Sequence, residues 1–269
     1  MRLYQVDAFA DALFTGNPAA VCPVPEWPAP ELMQRIAAEN NLSETAFIVG
    51  RHGNYRVRWF TPTVEVDLCG HATLAAACVV FNYLEPTLTR VSFESRSGPL
   101  CVERDQDCLT MDFPVALVEP CSAPGLLLDG LGLTPTAVYC GADYMAVVEH
   151  ERQVRDLRPD FRCLGELDRR GVIVTAPGSD CDFVSRFFAP QSGIDEDPVT
   201  GSAHCALAPY WAERLGRRHL VGRQLSERGG EVRCELVNSA DQGQRVRLSG
   251  NCAVYMVADL FIGDQSNDG

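Results

Sequence analysis

The stretch from Cys69 to Tyr83 reads CGHATLAAACVVFNY and is apolar on almost every side. Its alanine and leucine content favours a helix over a strand. A helix that is apolar all round belongs in the interior, whereas a surface helix keeps one polar face. The stretch therefore predicts a central helix that must be enclosed by other elements, and strands dominate the rest of the sequence.

A second copy of this pattern lies about half a chain further on. The residues Arg58-Trp59-Phe60-Thr61-Pro62 recur as Arg186-Phe187-Phe188-Ala189-Pro190, 128 positions later. Downstream the shift becomes 131, which matches Glu65 with Glu196 and places a second buried helix at Gly201–Leu215. The common order indicates an internal duplication. Two unrelated segments that share aromatic-proline strand ends are the alternative.

Strand-like runs surround both predicted helices. An outer amphipathic helix is expected at Pro30–Asn40, and Pro209 predicts a bend or an early end in the second buried helix. The proline-rich stretch Pro114–Pro124 is the candidate boundary between the halves. The predicted strands are Arg2–Phe9, Ala19–Val24, Ala46–Val49, Tyr55–Phe60, Val91–Ser95, Cys108–Phe113, Ala137–Cys140, Tyr144–Val148, Gly171–Ala176, Val232–Leu236, Arg245–Ser249 and Ala253–Val257.

These elements predict an α+β fold of two pseudo-symmetric lobes. Each lobe is expected to be a curled β-sheet or barrel around one central buried helix. The first lobe should span residues 1–118 and the second residues 119–257. A last strand at about 258–265 is a candidate to complete the first lobe, and the polar tail 263–269 is expected to fray.

Composition excludes several classes of protein. The 269 residues are 46% hydrophobic, and 23 basic against 36 acidic residues give a formal charge of −13. A chain this acidic does not suit nucleic acid or an anionic membrane surface, because phosphate binding needs clustered cations. The start of the chain lacks an apolar signal core, and no apolar run approaches the ~20 residues of a membrane span. With 12 cysteines but no Cys-x-x-Cys pair, we expect a cytoplasmic protein with reduced thiols.

Both buried helices begin with a glycine, in Cys69-Gly70-His71 and Thr200-Gly201-Ser202. A helix start offers unpaired N–H groups and the positive end of the helix dipole, and glycine lets a ligand approach the backbone closely. If the duplication brings both starts to one cleft, they form a cradle for an anion, most simply a carboxylate.

Three acid–base groups lie near these helix starts in the sequence. Asp197 comes four residues before the second helix-start glycine, and His71 follows the first, where the positive dipole favours a neutral imidazole. Glu44 lies at the entry of an apolar strand and has no counterpart in the second half, where the offset falls near Arg169. Because only one of the two repeats carries this acid, we expect a reaction in which one side of the site supplies the main proton-transfer group.

Cys69 and Thr200 occupy equivalent positions, one before each helix-start glycine. A thiol at a helix start is expected to have a lowered pKa and could act as a base. Thiols on both sides would allow a two-base racemisation. Threonine is a poor base, so the sequence disfavours that symmetric mechanism.

These segments resemble the PhzF family, which is named for the phenazine-biosynthesis isomerase and belongs to the diaminopimelate epimerase-like superfamily. The resemblance covers nearly the whole chain. It is carried by Asp7-Ala8-Phe9, Gly16-Asn17-Pro18-Ala19-Ala20-Val21, Asn41-Leu42-Ser43-Glu44-Thr45-Ala46-Phe47, Arg58-Trp59-Phe60-Thr61-Pro62, Cys69-Gly70-His71-Ala72-Thr73-Leu74-Ala75, Glu196-Asp197-Pro198-Val199-Thr200-Gly201-Ser202-Ala203 and Arg228-Gly229-Gly230.

The resemblance implies a cleft active site between two lobes, no cofactor or metal, a small carboxylate-bearing substrate and a homodimer. It implies that Glu44 shuttles a proton, and that His71, Asp197 and Ser202 orient the substrate or relay protons. The implied substrate contacts further include Asn17, Gly70 and Gly201. One departure is Cys69, which stands where the phenazine isomerase has a small apolar residue and matches the first catalytic thiol of the epimerases.

The sequence thus predicts a cofactor-independent isomerase that transfers a proton on carbon, with Glu44 as acid and base. An amino-acid racemase or epimerase that uses Cys69 is the first alternative. A thiol hydrolase built on Cys69 and His71, and a zinc site formed by these two residues with His204 and Cys205, are weaker ones. A non-catalytic binding protein that keeps the fold is the last.

Overall fold

A computed structural model of the chain describes residues 1–239, 241 and 243–262. The elements of the first half are β1 (Arg2–Ala8), β2 (Asn17–Pro23), α1 (Pro30–Asn40), β3 (Glu44–Arg51), β4 (Asn54–Phe60), β5 (Glu65–Val66), α2 (Gly70–Val79, continued by a π-helical turn at Val80–Leu84), β6 (Arg90–Ser95), β7 (Gly98–Asp105) and β8 (Cys108–Pro114).

The second half begins with a very short strand and ends with the longest ones. Its elements are β9 (Glu119–Pro120), α3 (Gly125–Leu131), β10 (Ala137–Cys140), β11 (Tyr144–Val147), α4 (Glu151–Arg155), α5 (Phe161–Leu164), β12 (Val172–Pro177), β13 (Phe183–Ala189, followed by a 3-10 turn at Pro190–Ser192), β14 (Ile194–Asp197), α6 (Gly201–Leu215), β15 (His219–Gln224), β16 (Gly230–Ser239), β17 (Gly243–Gly250) and β18 (Cys252–Asp259).

The second half repeats the strand pairing of the first, as the duplication predicts. In the first half β2 is parallel to β3, β3 is antiparallel to β4, and β4 is parallel to β6. In the second half β11, β12, β13 and β15 pair with the same directions in the same order. The α+β fold with two related lobes is therefore confirmed.

Strand pairing joins the two halves at two places, between β8 and β17 and between β18 and β1. β8 pairs with β17 and joins the halves, while β9 pairs with β10 and the last strand, β18, pairs with β1. β18 begins at Cys252, earlier than the strand expected at about 258–265. Residues 263–265 of that expected strand, and the tail 263–269, lie outside the described residues. The lobe limits 1–118 and 119–257 stay predictions.

The two predicted central helices are buried inside the curled sheet. Every residue of α2 from His71 to Val79 is buried, and the helix packs against β1, β2, β3, β7, β8 and β18. α6 packs against β15, β16 and β17 and also contacts α2. Burial on all sides is the arrangement that a helix without a polar face requires.

Pro209 does not end α6 early, so that part of the prediction is wrong. The helix continues to Leu215 although proline cannot donate the bond that the Cys205 carbonyl would normally accept. The backbone N–H of Ala116 donates to this carbonyl instead, at 3.0 Å. The connection between the halves therefore replaces the missing helical hydrogen bond.

None of the helices in the described ranges combines the length and the hydropathy needed to cross a bilayer. The homodimer and the cytoplasmic location stay predictions.

Two equivalent ion pairs hold the short strands that precede the helix starts. Arg58 Nε and Nη2 donate to both carboxylate oxygens of Glu65, at 2.7 and 2.8 Å. Arg186 makes the same two contacts with Glu196, both at 2.7 Å. The hydrogen bonds from Arg58 lower the pKa of Glu65. The duplication therefore kept a bidentate arginine–carboxylate pair in each lobe.

Glu65→Gln and Glu196→Gln should each lower the free energy of unfolding by about 1–3 kcal/mol, because each removes hydrogen bonds between charged groups. The folded-state pKa of Glu65 lies below its ordinary 4.5, so its contribution is present above that pH and lost as pH falls. Urea unfolding should show the full loss for Glu65→Gln at pH 7 and a smaller loss at pH 4. Asp259→Asn, at an exposed pair with Arg2, is the control and should stay close to wild type. An equal loss at both pH values would contradict the assignment.

Candidate active site

The starts of α2 and α6 open onto one cavity of about 560 Å³, a volume typical of small-molecule sites. Eight of the nine residues predicted for the site line it, namely Glu44, Cys69, Gly70, His71, Asp197, Thr200, Gly201 and Ser202. The ninth, Asn17, is fully buried and is not part of the lining. The two glycine-led helix starts therefore face a common space, and the predicted acid–base groups meet there.

The helix starts keep N–H groups that are available for a ligand. Cys69 and Thr200 are the N-cap residues and have extended backbones. Within the described residues, neither side chain accepts a hydrogen bond from the first turn of its helix. The positive ends of two helix dipoles therefore reach the cavity without a capping side chain.

Glu44 and His71 form a close contact in the wall of the cavity. Glu44 is the first residue of β3 and is 9% exposed, and His71 is 6% exposed. Glu44 Oε2 lies 3.0 Å from His71 Nε2, but the two atoms are not aligned for a hydrogen bond. Among the described residues, neither of these buried atoms has a hydrogen-bond partner. Both keep bonding capacity that a substrate in the cavity can use.

Asn17 lies behind the cavity and joins groups from the two lobes. Its amide nitrogen donates to Asp197 Oδ1 at 2.7 Å and to the Val199 carbonyl at 2.9 Å, and it lies 3.2 Å from His71 Nδ1. An amide nitrogen has only two hydrogens, so the two shorter contacts take them. The structure thus places Asn17 as a residue that positions Asp197 and lies close to His71, whereas substrate contact was predicted.

Asp197 is held by groups on both sides. The Thr200 hydroxyl donates to Asp197 Oδ2. The buried amide of Gln224 donates to the Asp197 carbonyl at 2.6 Å and accepts from the Thr200 N–H at 2.9 Å. Sequence reasoning missed Gln224. The sequence shows only a polar residue at this position. The fold is needed to show that this residue is buried and contacts Thr200 at the start of α6.

Burial and neighbouring charges shift three pKa values in the site. Burial raises the pKa of Asp197, against the opposing effect of His71. Burial raises the pKa of the Cys69 thiol, and the Glu44 charge adds to the rise. Burial lowers the pKa of His71, but its contacts with Cys69 and Glu44 outweigh this effect and the net direction is upward.

These shifts correct two expectations from the sequence. The helix-start argument predicted a neutral imidazole at His71 and a low thiol pKa at Cys69. Both predictions considered only the helix dipole, whereas burial and the adjacent Glu44 carboxylate dominate in the folded protein. Cys69 Sγ lies 3.6 Å from His71 Nδ1, so the thiol is a neighbour of the acid–base pair.

Arg170 is a lining residue that the sequence reasoning did not select. Its guanidinium contacts both carboxylate oxygens of the buried Asp143, and its Nη2 donates to Ser202 Oγ at 3.0 Å. Arg170 precedes β12 in the connection from α5, and the sequence showed only a pair of arginines near the offset of Glu44. The tertiary fold is needed to place one of them in the cavity.

Strand register shows what replaces Glu44 in the second lobe. Phe60 matches Phe188 in the repeat and pairs with Thr45, while Phe188 pairs with Val172. The counterpart of Glu44 is therefore Gly171, one residue after Arg170. A Cβ on Gly171 would lie 2.6 Å from Phe187 Cζ, so packing leaves no room for a side chain at this position.

Several of the segments that carry the resemblance to the PhzF family meet behind the cavity. Arg228 Nη2 donates to the buried Asp7 Oδ1 at 2.7 Å, and Arg228 Nε donates to the Gly16 carbonyl at 2.9 Å. The Gly16 N–H donates to the Gly229 carbonyl at 2.7 Å. These contacts tie the connection before β2 to the connection before β16. They fix Asn17, the first residue of β2, between the two lobes.

The structure does not bring together the four residues that the sequence offered as a zinc site, Cys69, His71, His204 and Cys205. His204 Nδ1 donates to the Thr200 carbonyl at 2.8 Å, and burial lowers the pKa of His204 to about 4. His204 is therefore a neutral structural histidine. The described residues bring together a different set, in which ligand-type atoms lie within 4.8 Å of one another: Glu44, Cys69 and His71.

The fold, the duplication and the shared cavity together define the class of protein as one with the epimerase-like fold. Comparison with known proteins identifies the family. A family model described as "Phenazine biosynthesis-like protein" matches residues 6–258. An "Uncharacterized isomerase" of Pseudomonas aeruginosa is 52% identical over 262 residues, which cover 97% of this chain and 99% of the relative. The chain belongs to the PhzF family.

Solved structures agree with this assignment. A PhzF-family protein of Enterococcus faecalis has a TM-score of 0.92 and 44% identity, and the match covers 97% of this chain and 99% of that one. A probable proline racemase of Agrobacterium radiobacter has a TM-score of 0.65 at 11% identity, covering 98% of this chain and 94% of that one. The second likeness shows the shared fold alone.

Gly70→Ala and Gly201→Ala should both fold normally, and Gly201→Ala, at the helix start beside Arg170, should bind a carboxylate at least about tenfold more weakly, which is 1.4 kcal/mol. A Cβ would lie 3.7 Å from Phe113 at Gly70 and 3.8 Å from Leu248 at Gly201, both ordinary contacts. Alanine also favours a helix over glycine by about 1 kcal/mol. Urea unfolding and calorimetric titration with benzoate measure the two effects.

Gly171→Ala is the matched control for packing. Because its Cβ would collide with Phe187, this variant should lose about 1–3 kcal/mol of stability. If the two helix-start variants were destabilised to the same degree, their glycines would serve packing and not ligand access.

Proposed function

We propose that this protein is a cofactor-independent isomerase that moves a proton between carbon atoms of a small carboxylate-bearing metabolite. Glu44 carries the proposal, because it lines the cavity at two helix starts and its buried Oε2 has no hydrogen-bond partner among the described residues. An unpaired buried polar atom costs free energy, and a catalytic role is one reason to retain it. Relatives named as isomerases support the same activity.

In the proposed reaction the Glu44 carboxylate takes a proton from a carbon that is activated by the substrate carboxylate or a conjugated group. The electrons of the broken C–H bond pass into an enolate-type anion. Glu44 then returns the proton to a different carbon, which regenerates its carboxylate and completes an allylic shift. Return of the proton to the enolate oxygen instead would complete a keto–enol shift. The N–H groups at the two helix starts stabilise the transient negative charge in a site with little water.

His71 and Asp197 support this transfer in different ways. The His71 imidazole lies 3.0 Å from Glu44 and is placed to relay a proton beside it. Asp197, with its raised pKa, is suited to hold a proton and donate it as a hydrogen bond to the substrate. Asn17 holds Asp197 in place through its hydrogen bond at 2.7 Å. We therefore assign orientation and proton relay to His71 and Asp197, and the carbon acid–base step to Glu44.

Glu44→Gln should lower the rate of isomerisation by about 10²–10⁴-fold, the usual contribution of a positioned acid–base group. The enzyme is incubated in D₂O with a metabolite library, and mass spectrometry identifies the compound that gains deuterium. Glutamine keeps the shape of glutamate but cannot accept the proton. Glu39→Gln, at an exposed position of α1, is the control and should exchange at the wild-type rate. Near-wild-type exchange by Glu44→Gln would refute the assignment.

An amino-acid racemase that uses Cys69 is the second candidate, because the Cys69 thiol lies 3.6 Å from His71 and lines the cavity. Under the Glu44 mechanism, Cys69→Ala should reduce exchange by less than about tenfold, since the thiol is a protonated neighbour. Under the racemase mechanism the loss should match that of Glu44→Gln or exceed it, and deuterium should appear in both enantiomers of an amino acid. A protein that binds carboxylates but exchanges deuterium into no compound would be a binding protein.

A further inference from the structure

We propose that Arg170 anchors the substrate carboxylate at the start of α6, and that the rest of the substrate is an apolar group lying against the cavity wall. This inference rests on the proposed function and adds the direction in which the substrate binds. The carboxylate lies on the side of the second lobe, and the reacting carbon lies on the side of Glu44.

The Arg170 guanidinium is held in place and still has donors to offer. Its Nε and Nη2 contact the carboxylate of Asp143, which is 6% exposed, and Nη2 also donates to Ser202 Oγ. A guanidinium carries five N–H donors, and Nη1 has no partner among the described residues. A rigidly held arginine with two free N–H groups is well suited to a carboxylate, because little side-chain entropy is lost on binding.

The repeat places this arginine opposite the proton-transfer pair. At the start of α2, the first lobe presents His71 beside Glu44. At the equivalent start of α6, the second lobe presents Ser202, which accepts a hydrogen bond from Arg170. Ser202 occupies the position of His71, and Arg170 lies one residue before the counterpart of Glu44, so one lobe presents an acid–base pair and the other a cation with a hydroxyl. A substrate that spans the cavity meets a different chemistry at each end.

Charge favours the same orientation. Arg170 is the one lysine or arginine among the described residues that line the cavity, in a chain of net charge −13. The carboxylates of Asp143 and Asp197 offset part of its charge, but the positive end of α6 lies beside it. The guanidinium and the helix start therefore both favour a carboxylate at this end of the cavity.

The cavity wall indicates the nature of the remainder of the substrate. Most of its exposed surface is apolar, and nine of its 21 residues have hydrocarbon side chains, including Val64, Val66, Leu68, Phe113, Phe187 and Ile194. With no second lysine or arginine in the described lining, a dicarboxylate would bury one carboxylate without a cation, which is costly. A monocarboxylate with an apolar ring or chain buries that surface favourably. The geometry therefore points to an apolar monocarboxylic acid.

Calorimetric titration at pH 7 tests the anchor without turnover. The ligands are benzoate, its neutral isostere benzamide, and malonate. The variant is the double substitution Arg170→Gln with Asp143→Asn, which avoids leaving a buried Asp143 charge unpaired. Arg169→Gln, at the exposed neighbouring arginine, is the control. Glu44→Gln is titrated in parallel and also assayed for deuterium exchange.

The proposal expects wild type to bind benzoate at least about tenfold more tightly than benzamide or malonate. The double variant should lose about tenfold or more in affinity for benzoate, and Arg169→Gln should lose none. Unchanged benzoate affinity in the double variant, no benzoate binding by wild type, or a preference for malonate would overturn the inference. Wild-type exchange by Glu44→Gln together with the expected Arg170 result would refute Glu44 as the acid–base group and leave the carboxylate anchor standing, whereas no exchange by wild type would refute the isomerase itself.

Discussion

The structure depends on the burial of two helices that have no polar face. α2 is apolar around its whole circumference, so only a sheet curled around it can remove that surface from water. A helix enclosed on its sides has polar backbone groups left over only at its ends. Because the two lobes meet at the starts of α2 and α6, these unpaired N–H groups reach a shared cavity. The requirement that buries the helices thus also creates the place where an anion can bind.

Duplication supplied two similar helix starts, and divergence made them chemically different. The bidentate pairs Arg58–Glu65 and Arg186–Glu196 were kept in both lobes because they hold equivalent strands. The positions that face the cavity were not kept. Gly171 stands where the first lobe has Glu44, and packing against Phe187 prevents any larger residue there. A symmetric frame thereby acquired one acidic side and one basic side, which suits a reaction whose substrate has two different ends.

Much of this arrangement could be predicted from the sequence, for physical reasons. The apolar pattern identified the two buried helices, the repeat predicted that their starts with His71 and Asp197 share one cleft, and the resemblance to the PhzF family assigned Glu44 to the same site. The position of Asn17 behind the cavity could not be predicted, because it depends on the Arg228 contacts between distant connections. Arg170 was missed because its side chain acquires a role only next to Asp143 and Ser202. The pKa directions of His71 and Cys69 depend on burial, which a sequence pattern does not measure.

The return of the last strand to the first has a consequence for the first half. β18 follows β17 near the end of the chain and pairs with β1, whose other neighbour is β2. The sheet of the first half is therefore complete only when the last strand has been added. A chain cut between the halves would leave one edge of β1 without a partner, and an unpaired strand edge is a site where other chains can associate.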